Sequence, residues 1–514
     1  MKRSRTQKAF LNVASSIASE FISLACGLIL PRLILSNYGS AYNGITQSIT
    51  QFISYISLMK AGIGGATAVA LYKPLAEKDN RKISEVLAAT EQFMRKIALL
   101  FAVFVLILAC VYPLLVRDEF GWLFTASLVL IISISTFGQY YFGFTYQMLL
   151  SADQKDYITT CLNIITTIVN TILSVILIRG NHSIHVIKLG SSLAHLITPL
   201  SLYFYVRKKY NIIKGIKPNE DVIPQRWDAT AHEVASFINN NTDVVLLTLF
   251  TNMSEISVYS VYHYVISNLK KIVTQVTVGF GAAFGDMYAR NEIDLMHQNL
   301  GIFELIIYSF TSVLYSVCLV MILPFVVIYT KGVTDIEYVR PLFALVTVLA
   351  SIFNCFRIPY RVIVINVGHY KQTKNGAIME AVINIVVSVI GSICFGLIGV
   401  ALGTLCAMIF RTLQYAIYLS KNIMYRDIKY FIRHVALTFG IIAVVYLVSR
   451  LYMPAVIDGW FYWALYAAIT TIIAAVLTIG TDYLLYKDDL FNLIDKLKRN
   501  FLKKSKGKNG KAVA

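Results

Sequence analysis

The chain has 514 residues, 57% hydrophobic and only 14% charged, a usage outside that of ordinary globular domains and inside the membrane class. Its net charge of +18 would suggest nucleic acid in a soluble protein, but here basic loops on one side of a bilayer account for it, so no nucleic-acid partner is expected. The seven cysteines lie in apolar segments without CxxC or Cys/His spacing, so no disulfide or metal site is read from them.

At about 20 apolar residues per crossing, fourteen spans are predicted, at 10–36, 41–72, 84–116, 122–150, 156–179, 184–206, 231–251, 256–288, 298–330, 336–366, 375–395, 397–420, 427–452 and 459–486. Basic residues at 2–8 superficially resemble a signal peptide. The apolar run that follows reaches Leu35, carries Glu20 and leads at once into another span, so it reads as an uncleaved first helix.

The second span places Asn43, Gln47, Thr50, Ser54, Ser57 and Lys60 at steps of three or four, on one side of a helix. It is longer than a crossing needs, so it should tilt or bend. A lysine at mid-bilayer costs at least about 3 kcal/mol, so Lys60 should face protein or a water-filled cavity. Connections after even-numbered spans are the basic ones, although Lys155 stands alone in its loop, and the positive-inside rule puts both termini in the cytoplasm. Trp122, Trp460 and Trp463 then mark external helix ends and Trp227 a cytoplasmic one.

The basic loop 207–230, with Pro218 and Pro224, reads as a linker between halves. Ile168 begins IVNTILSVI and Val382 begins VINIVVSVI, an offset of 214; KLGSSL and ALGTLC, and AGIGGATA and VGFGAAFG, pair at nearly the same shift. The expected fold is an all-α polytopic membrane protein of about 14 transmembrane helices: two parallel-related six-helix bundles around a central cavity, plus two C-terminal helices. The divisions are an N-terminal bundle at 1–206, the cytoplasmic linker at 207–230, a C-terminal bundle at 231–420, spans 13 and 14 at 421–486, and a basic cytoplasmic tail at 487–514. In the tail, Leu490, Phe491, Leu493, Ile494, Leu497 and Phe501 share a face, which suits either a surface helix on anionic lipid or a solvated tail.

The eighth span repeats the stripe of the second with Ser260, His263, Ser267, Lys270 or Lys271, and Thr274. The first carries Ser16, Glu20, Ser23 and Gly27, and the seventh Ser236, Asn239, Asn240 and Asp243. The tenth adds Asn354, Arg357 and Arg361 on one face, with Pro359 expected to bend it. Cations outnumber anions on these stripes, which points to an anionic ligand. The alternatives are structural: Lys60, Lys270 and Lys271 could pair with Glu20 and Asp243 or snorkel, and Arg357 and Arg361 could pair with Glu380 or Glu304. Arg32 reads as snorkelling, and His195 and His263 as satisfied polar residues.

The stretch LPRLILSNYGSAYNGITQSITQFISYISLMKAGIGGA from Leu30, the loop YKPLAEKDNRKISE from Tyr72, SADQKDYI from Ser151 and NVGHYKQTKNG from Asn366 resemble the multidrug/oligosaccharidyl-lipid/polysaccharide exporter superfamily. Within it, the likeness is to polysaccharide flippases of the O-antigen and capsule type, over essentially the full length. It implies a cavity lined by spans one, two, seven and eight, where cations meet the pyrophosphate of a lipid-linked oligosaccharide. The pyrophosphate and glycan candidates are Lys60, Lys270, Lys271, Arg357, Arg361, Gln47, Gln51, Asn239 and Asn240. Lipid II flippases look arginine-bearing in the first helix, where this chain has Glu20.

The expected activity is movement of an undecaprenyl-pyrophosphate-linked oligosaccharide across a bacterial plasma membrane by alternating access. No covalent step, catalytic residue, cofactor or metal is involved, and no Walker motif is present. A proton or sodium gradient could drive it through Glu20 and Asp243. Membrane lipids, a polysaccharide polymerase and glycosyltransferases are the other expected partners. A lipid II flippase, a cation-coupled multidrug exporter and, more distantly, a membrane polysaccharide polymerase or ligase are the alternatives; the last would be an enzyme, and the external loops are short for one.

Overall fold

The computed structural model describes residues 5–60, 63–213, 215–216, 230–277, 280–454, 456–496 and 498. Pro218, Pro224, Trp227, Leu497, Phe501 and the terminal lysines lie outside them.

Helix occupies every one of the fourteen predicted spans, and no strand occurs among the described residues. In chain order the elements are α1 (Arg5–Tyr38), α2 (Ser40–Ser54), a 3-10 segment (Tyr55–Lys60), α3 (Ile63–Glu77), α4 (Asn80–Leu115), α5 (Trp122–Gly138), a π segment (Gln139–Gly143), α6 (Phe144–Ala152), α7 (Asp156–Arg179), α8 (Ile184–His195) and α9 (Ile197–Lys209). After the linker come α10 (Thr230–Phe250), α11 (Met253–Gln275), α12 (Phe280–Ala289), α13 (Ile293–Tyr329), α14 (Pro341–Phe356), α15 (Ile358–Asn366), α16 (Tyr370–Phe395), α17 (Leu397–Asn422), α18 (Lys429–Tyr452) and α19 (Trp460–Leu485).

The second, sixth, eighth and tenth spans are interrupted, and the fourth is continuous but carries a π segment. The second, expected to tilt or bend, does so as two helices at 50°, and the glycine-rich sequence there has little helical propensity to oppose it. In the tenth span the break falls at Arg357 and Pro359 enters the first turn of α15, where its missing N–H is harmless. Ten helices are long and apolar enough to cross a membrane among the described residues, or 11 with the bent second span. The sixth, seventh and eighth spans fall short because a break or a polar run interrupts each.

Internal repetition extends to the backbone. Shifted by 214 residues, the start of α7 at Asp156 falls on the start of α16 at Tyr370, and the end of the π segment at Gly143 falls on the break at Arg357. Left-handed turn residues recur at nearly the same shift: Lys78 with Asn291, Gln154 with Gly368, and Asn181 with Gly396. Both halves thus fold from the same pattern of spans, breaks and turns.

The chain forms two compact units, Met1–Val258 with Gly332–Ile336, and Tyr259–Lys331 with Glu337–Ala514. In the first, the SADQK turn is a clasp. Lys8 (2.9 Å) and Lys155 (2.6 Å) pair with the Asp153 carboxylate, and the Tyr210 hydroxyl donates to it at 2.6 Å. The start of α1 and the exit of α9 are thereby tied to the turn between α6 and α7. Burial would raise the Asp153 carboxyl, but hydrogen bonds from Lys155, Tyr210 and Lys8 overcome it and hold the group below its ordinary value.

In the second unit α13 carries Glu304, 1% exposed, which accepts from Arg426 at 2.5 Å and from the Tyr360 hydroxyl at 2.6 Å. α18 and α19 pack along α13, where the Ser309 hydroxyl donates to Asp482 at 2.6 Å. The helical turn after α19 folds back on the start of α13, with Lys496 donating to Asn299 at 2.7 Å. Leu493 and Ile494 there are half-buried and Phe491 is exposed.

Candidate functional site

In the first unit, α2 is zipped to the seventh span and the start of α11 through Asn43 of its stripe and through Ser48 and Gln51 beside it. Asn43 donates to the Ser257 hydroxyl at 2.7 Å, Ser48 and Thr248 share a hydrogen bond of 2.6 Å, and Gln51 donates to Asn241 at 2.5 Å. Gly44 permits the crossing, because a Cβ there would overlap the Met253 carbonyl. Asp335 caps α2, accepting from the Ser40 amide at 2.6 Å and its hydroxyl at 2.7 Å. Further along, the stripe opens: Thr50 is exposed, and Gln47, half-buried, makes no hydrogen bond among the described residues.

Glu20 is exposed on α1, with no ion pair among the described residues. Asp243 is buried on α10 and engaged with neighbours. Lys60 ends the 3-10 segment, and Asn239 and Asn240 lie on α10; the side chains of all three fall outside the described set.

The second unit holds a cluster of arginines around one carboxylate. Glu380 on α16, with 5% of its side chain exposed, takes Arg357 at 2.7 Å on one oxygen and Arg411 of α17 at 3.2 Å on the other. This is the pairing within one half that the spacing left open for Arg357. Arg411 also donates to the Thr373 carbonyl at 3.2 Å, to the Tyr415 hydroxyl at 2.8 Å and to Gln414. Gly376 makes the room, since a Cβ there would collide with that guanidinium. Arg361, one turn beyond Arg357, lies within electrostatic reach of Arg357, Glu380 and Arg411. It is exposed and has neither hydrogen bond nor ion pair among the described residues. Two guanidinium groups therefore share one carboxylate, with a third, Arg361, within electrostatic reach, an excess of positive charge that a polyvalent anion would neutralise.

Lys270 on α11 is half-buried, and Cys355 is within electrostatic reach of both Lys270 and Arg357. Lys271 is exposed and donates to Asn268 at 3.2 Å. Asn354 turns away from the cluster, donating to the Met408 sulfur at 3.3 Å. Glu304, the other candidate partner for the arginines, is taken by Arg426. Sequence reasoning missed Arg411; the available signal was a guanidinium in the middle of the twelfth span, where an unpaired charge is costly.

No protein-family model and no curated protein matches the chain. Solved structures do. A lipid II flippase, MurJ, in an inward closed conformation superposes with a TM-score of 0.68 at 17% identity, covering 93% of this chain and 99% of that one. An inward-facing multidrug resistance MATE family transporter of the MOP superfamily gives 0.57 at 13%, covering 78% and 94%. The MATE multidrug transporter DinF-BH gives 0.56 at 15%, covering 81% and 97%. At such identities the likeness is one of fold: the chain is an all-helical, multi-pass membrane protein with the fold that a lipid II flippase shares with multidrug transporters of the MOP superfamily.

Proposed function

We propose that this chain is a flippase that moves an undecaprenyl-pyrophosphate-linked oligosaccharide across a bacterial plasma membrane by alternating access. Both termini would be cytoplasmic, and residues 1–206 and 231–420 would act as the two repeats. The observation that carries the reading is the arginine cluster, in which Arg357 and Arg411 share the single Glu380 and Arg361 lies within electrostatic reach without an ion pair of its own among the described residues. An organic cation would be repelled there and a diphosphate attracted. Lys270 adds to this charge, Lys60 and Lys271 are further candidate cations for the diphosphate, and Gln47, Gln51, Asn239 and Asn240 are candidate hydrogen-bond partners for sugar. Lipid II, for which one fold neighbour is named, is the second reading, favoured by the near-complete mutual coverage.

Lys60 provides the test. As a ligand for diphosphate, its replacement by Gln should cost about 1.5–3 kcal/mol of binding, roughly tenfold to a hundredfold, at normal membrane abundance, with partial rescue by Arg. If it is instead the partner of Glu20, Lys60→Gln lowers abundance and Lys60→Gln with Glu20→Gln restores it. Abundance and glycan export measured in the same cells separate the two. Run with and without a proton or sodium gradient, that assay also tests coupling: Glu20→Gln and Asp243→Asn should abolish the gradient dependence, and an undiminished dependence removes both from that role. For topology, cysteines at Asn37 and Asn181 should label from outside and at Lys155 and Lys214 from inside; labelling of Asn37 only after permeabilisation overturns the orientation.

A further inference from the structure

Three irregular helices of the first unit converge on one cavity of 450 Å³. The second span changes from α to 3-10 at Ser54, the fourth passes into its π segment at Gln139, and the sixth breaks between His195 and Thr198. α7 forms a further wall with Asn163 and Thr167, and the cavity is open, with Asn163 and His195 exposed. Interrupted membrane helices are tolerated where the freed backbone lines a cavity, and π segments concentrate at functional positions.

The lining has an unusual chemistry for a membrane bundle. Every lining side chain is a hydroxyl, amide, phenol or imidazole; none is a carboxylate, an ammonium or a guanidinium. Asn163 and Thr167 make no side-chain hydrogen bond among the described residues. His195 Nδ1 is 2.8 Å from the Ser191 carbonyl. A carbonyl only accepts, so Nδ1 is the donor here and Nε2 is the ring nitrogen left over for a ligand. Without a carboxylate the cavity is poorly suited to a cation, and without a fixed positive charge it is poorly suited to phosphate. Donors and acceptors in mixture, neutral and partly unspent, match a polyhydroxylated ring, and the volume lies within the roughly 300–1,000 Å³ of small-molecule sites.

The repeat supplies a second argument. Shifted by 214 residues, Thr166, which shares a 2.8 Å hydrogen bond with Thr198 at this cavity, falls on Glu380 of the arginine cluster. Corresponding places in the two halves are thus neutral in one and charged in the other. We propose that the cavity between Ser54, Gln139, Asn163, Thr167, His195 and Thr198 is a subsite for an uncharged sugar ring. The inference rests on the flippase reading, whose lipid-linked glycan supplies the sugar.

The test uses the full chain in nanodiscs. Its probes are bare undecaprenyl pyrophosphate and the same lipid carrying a single glucose, galactose or N-acetylglucosamine. At least one glycosylated lipid should bind about tenfold or more tighter than the bare one, the scale of a few net hydrogen bonds. Thr167→Val and Asn163→Leu together should erase that advantage and leave bare-lipid binding within about twofold; the near-isosteric Thr167→Val alone should remove part of it, which keeps the test valid if the double variant fails to fold. Bare-lipid binding with no gain from any of the three sugars overturns the subsite and leaves the flippase reading standing. Failure of all the lipids to bind overturns both. A sodium-dependent thermal shift that disappears in Asn163→Leu assigns the cavity to a cation and overturns the sugar.

Discussion

The same interhelical place is solved with opposite chemistry in the two halves. In the first unit α7 meets the sixth span through the hydroxyls of Thr166 and Thr198 at 2.8 Å, inside a cavity without a fixed charge. In the second, α16 meets α17 through Glu380 and Arg411 at 3.2 Å, with Arg357 at 2.7 Å on the other oxygen. A neutral hydroxyl pair holds two membrane helices at little desolvation cost. A buried ion cluster does so only against a large one, and apolar residues of the same volume would often serve stability as well. The charged version therefore calls for an explanation beyond packing, and its excess of guanidinium over carboxylate supplies one.

Glu380→Gln breaks the comparison hardest. It strands two guanidinium groups at a site where the carboxylate side chain is 5% exposed, which should cost about 3–5 kcal/mol, read as loss of monodisperse protein and a large drop in melting temperature. Thr166→Val, at the corresponding position, should cost only about 1 kcal/mol. Similar losses at the two positions would mean that the charge at Glu380 carries no special burden.

Arg361→Ala sharpens it at the next level. Arg361 is exposed and has no ion pair among the described residues, so melting should move by less than about 0.5 kcal/mol in equivalent stability. Binding of undecaprenyl pyrophosphate should fall by tenfold to a hundredfold, about 1.5–3 kcal/mol for a lost charge-assisted bond. Unchanged binding would remove Arg361 from the anion site.

The smallest effect belongs to the clasp outside the membrane. The folded Asp153 carboxyl lies below its unfolded value of about 3.9, so its contribution is complete above that pH and is lost as the pH falls through the folded value. Asp153→Asn should thus melt below the wild type at pH 7, and the gap should close toward pH 3. A gap of constant size would mean that the clasp is held by shape and not by charge.

Much of the architecture was legible in one dimension. Fourteen spans and the repeat offset follow from apolar run length and self-similarity, which are local properties of the chain, and the proline beside the Arg357 break was equally visible there. So was the presence of Asn43, Ser48 and Gln51 on α2. Periodicity gives a residue's direction around its own helix but not what stands opposite, so it could not show that α10 and the start of α11 cover those side chains while Thr50 stays exposed. The choice of partner for each arginine likewise depended on distances across helices: Glu380 went to Arg357 and Arg411, Glu304 to Arg426, and Arg361 to neither. The neutral cavity was the least legible feature, because Ser54, Gln139, Asn163 and His195 are scattered over four spans and ordinary in each. The order of residues along the chain determined the helices, their breaks and their turns; only packing decided which polar groups were spent on one another and which were left facing open space.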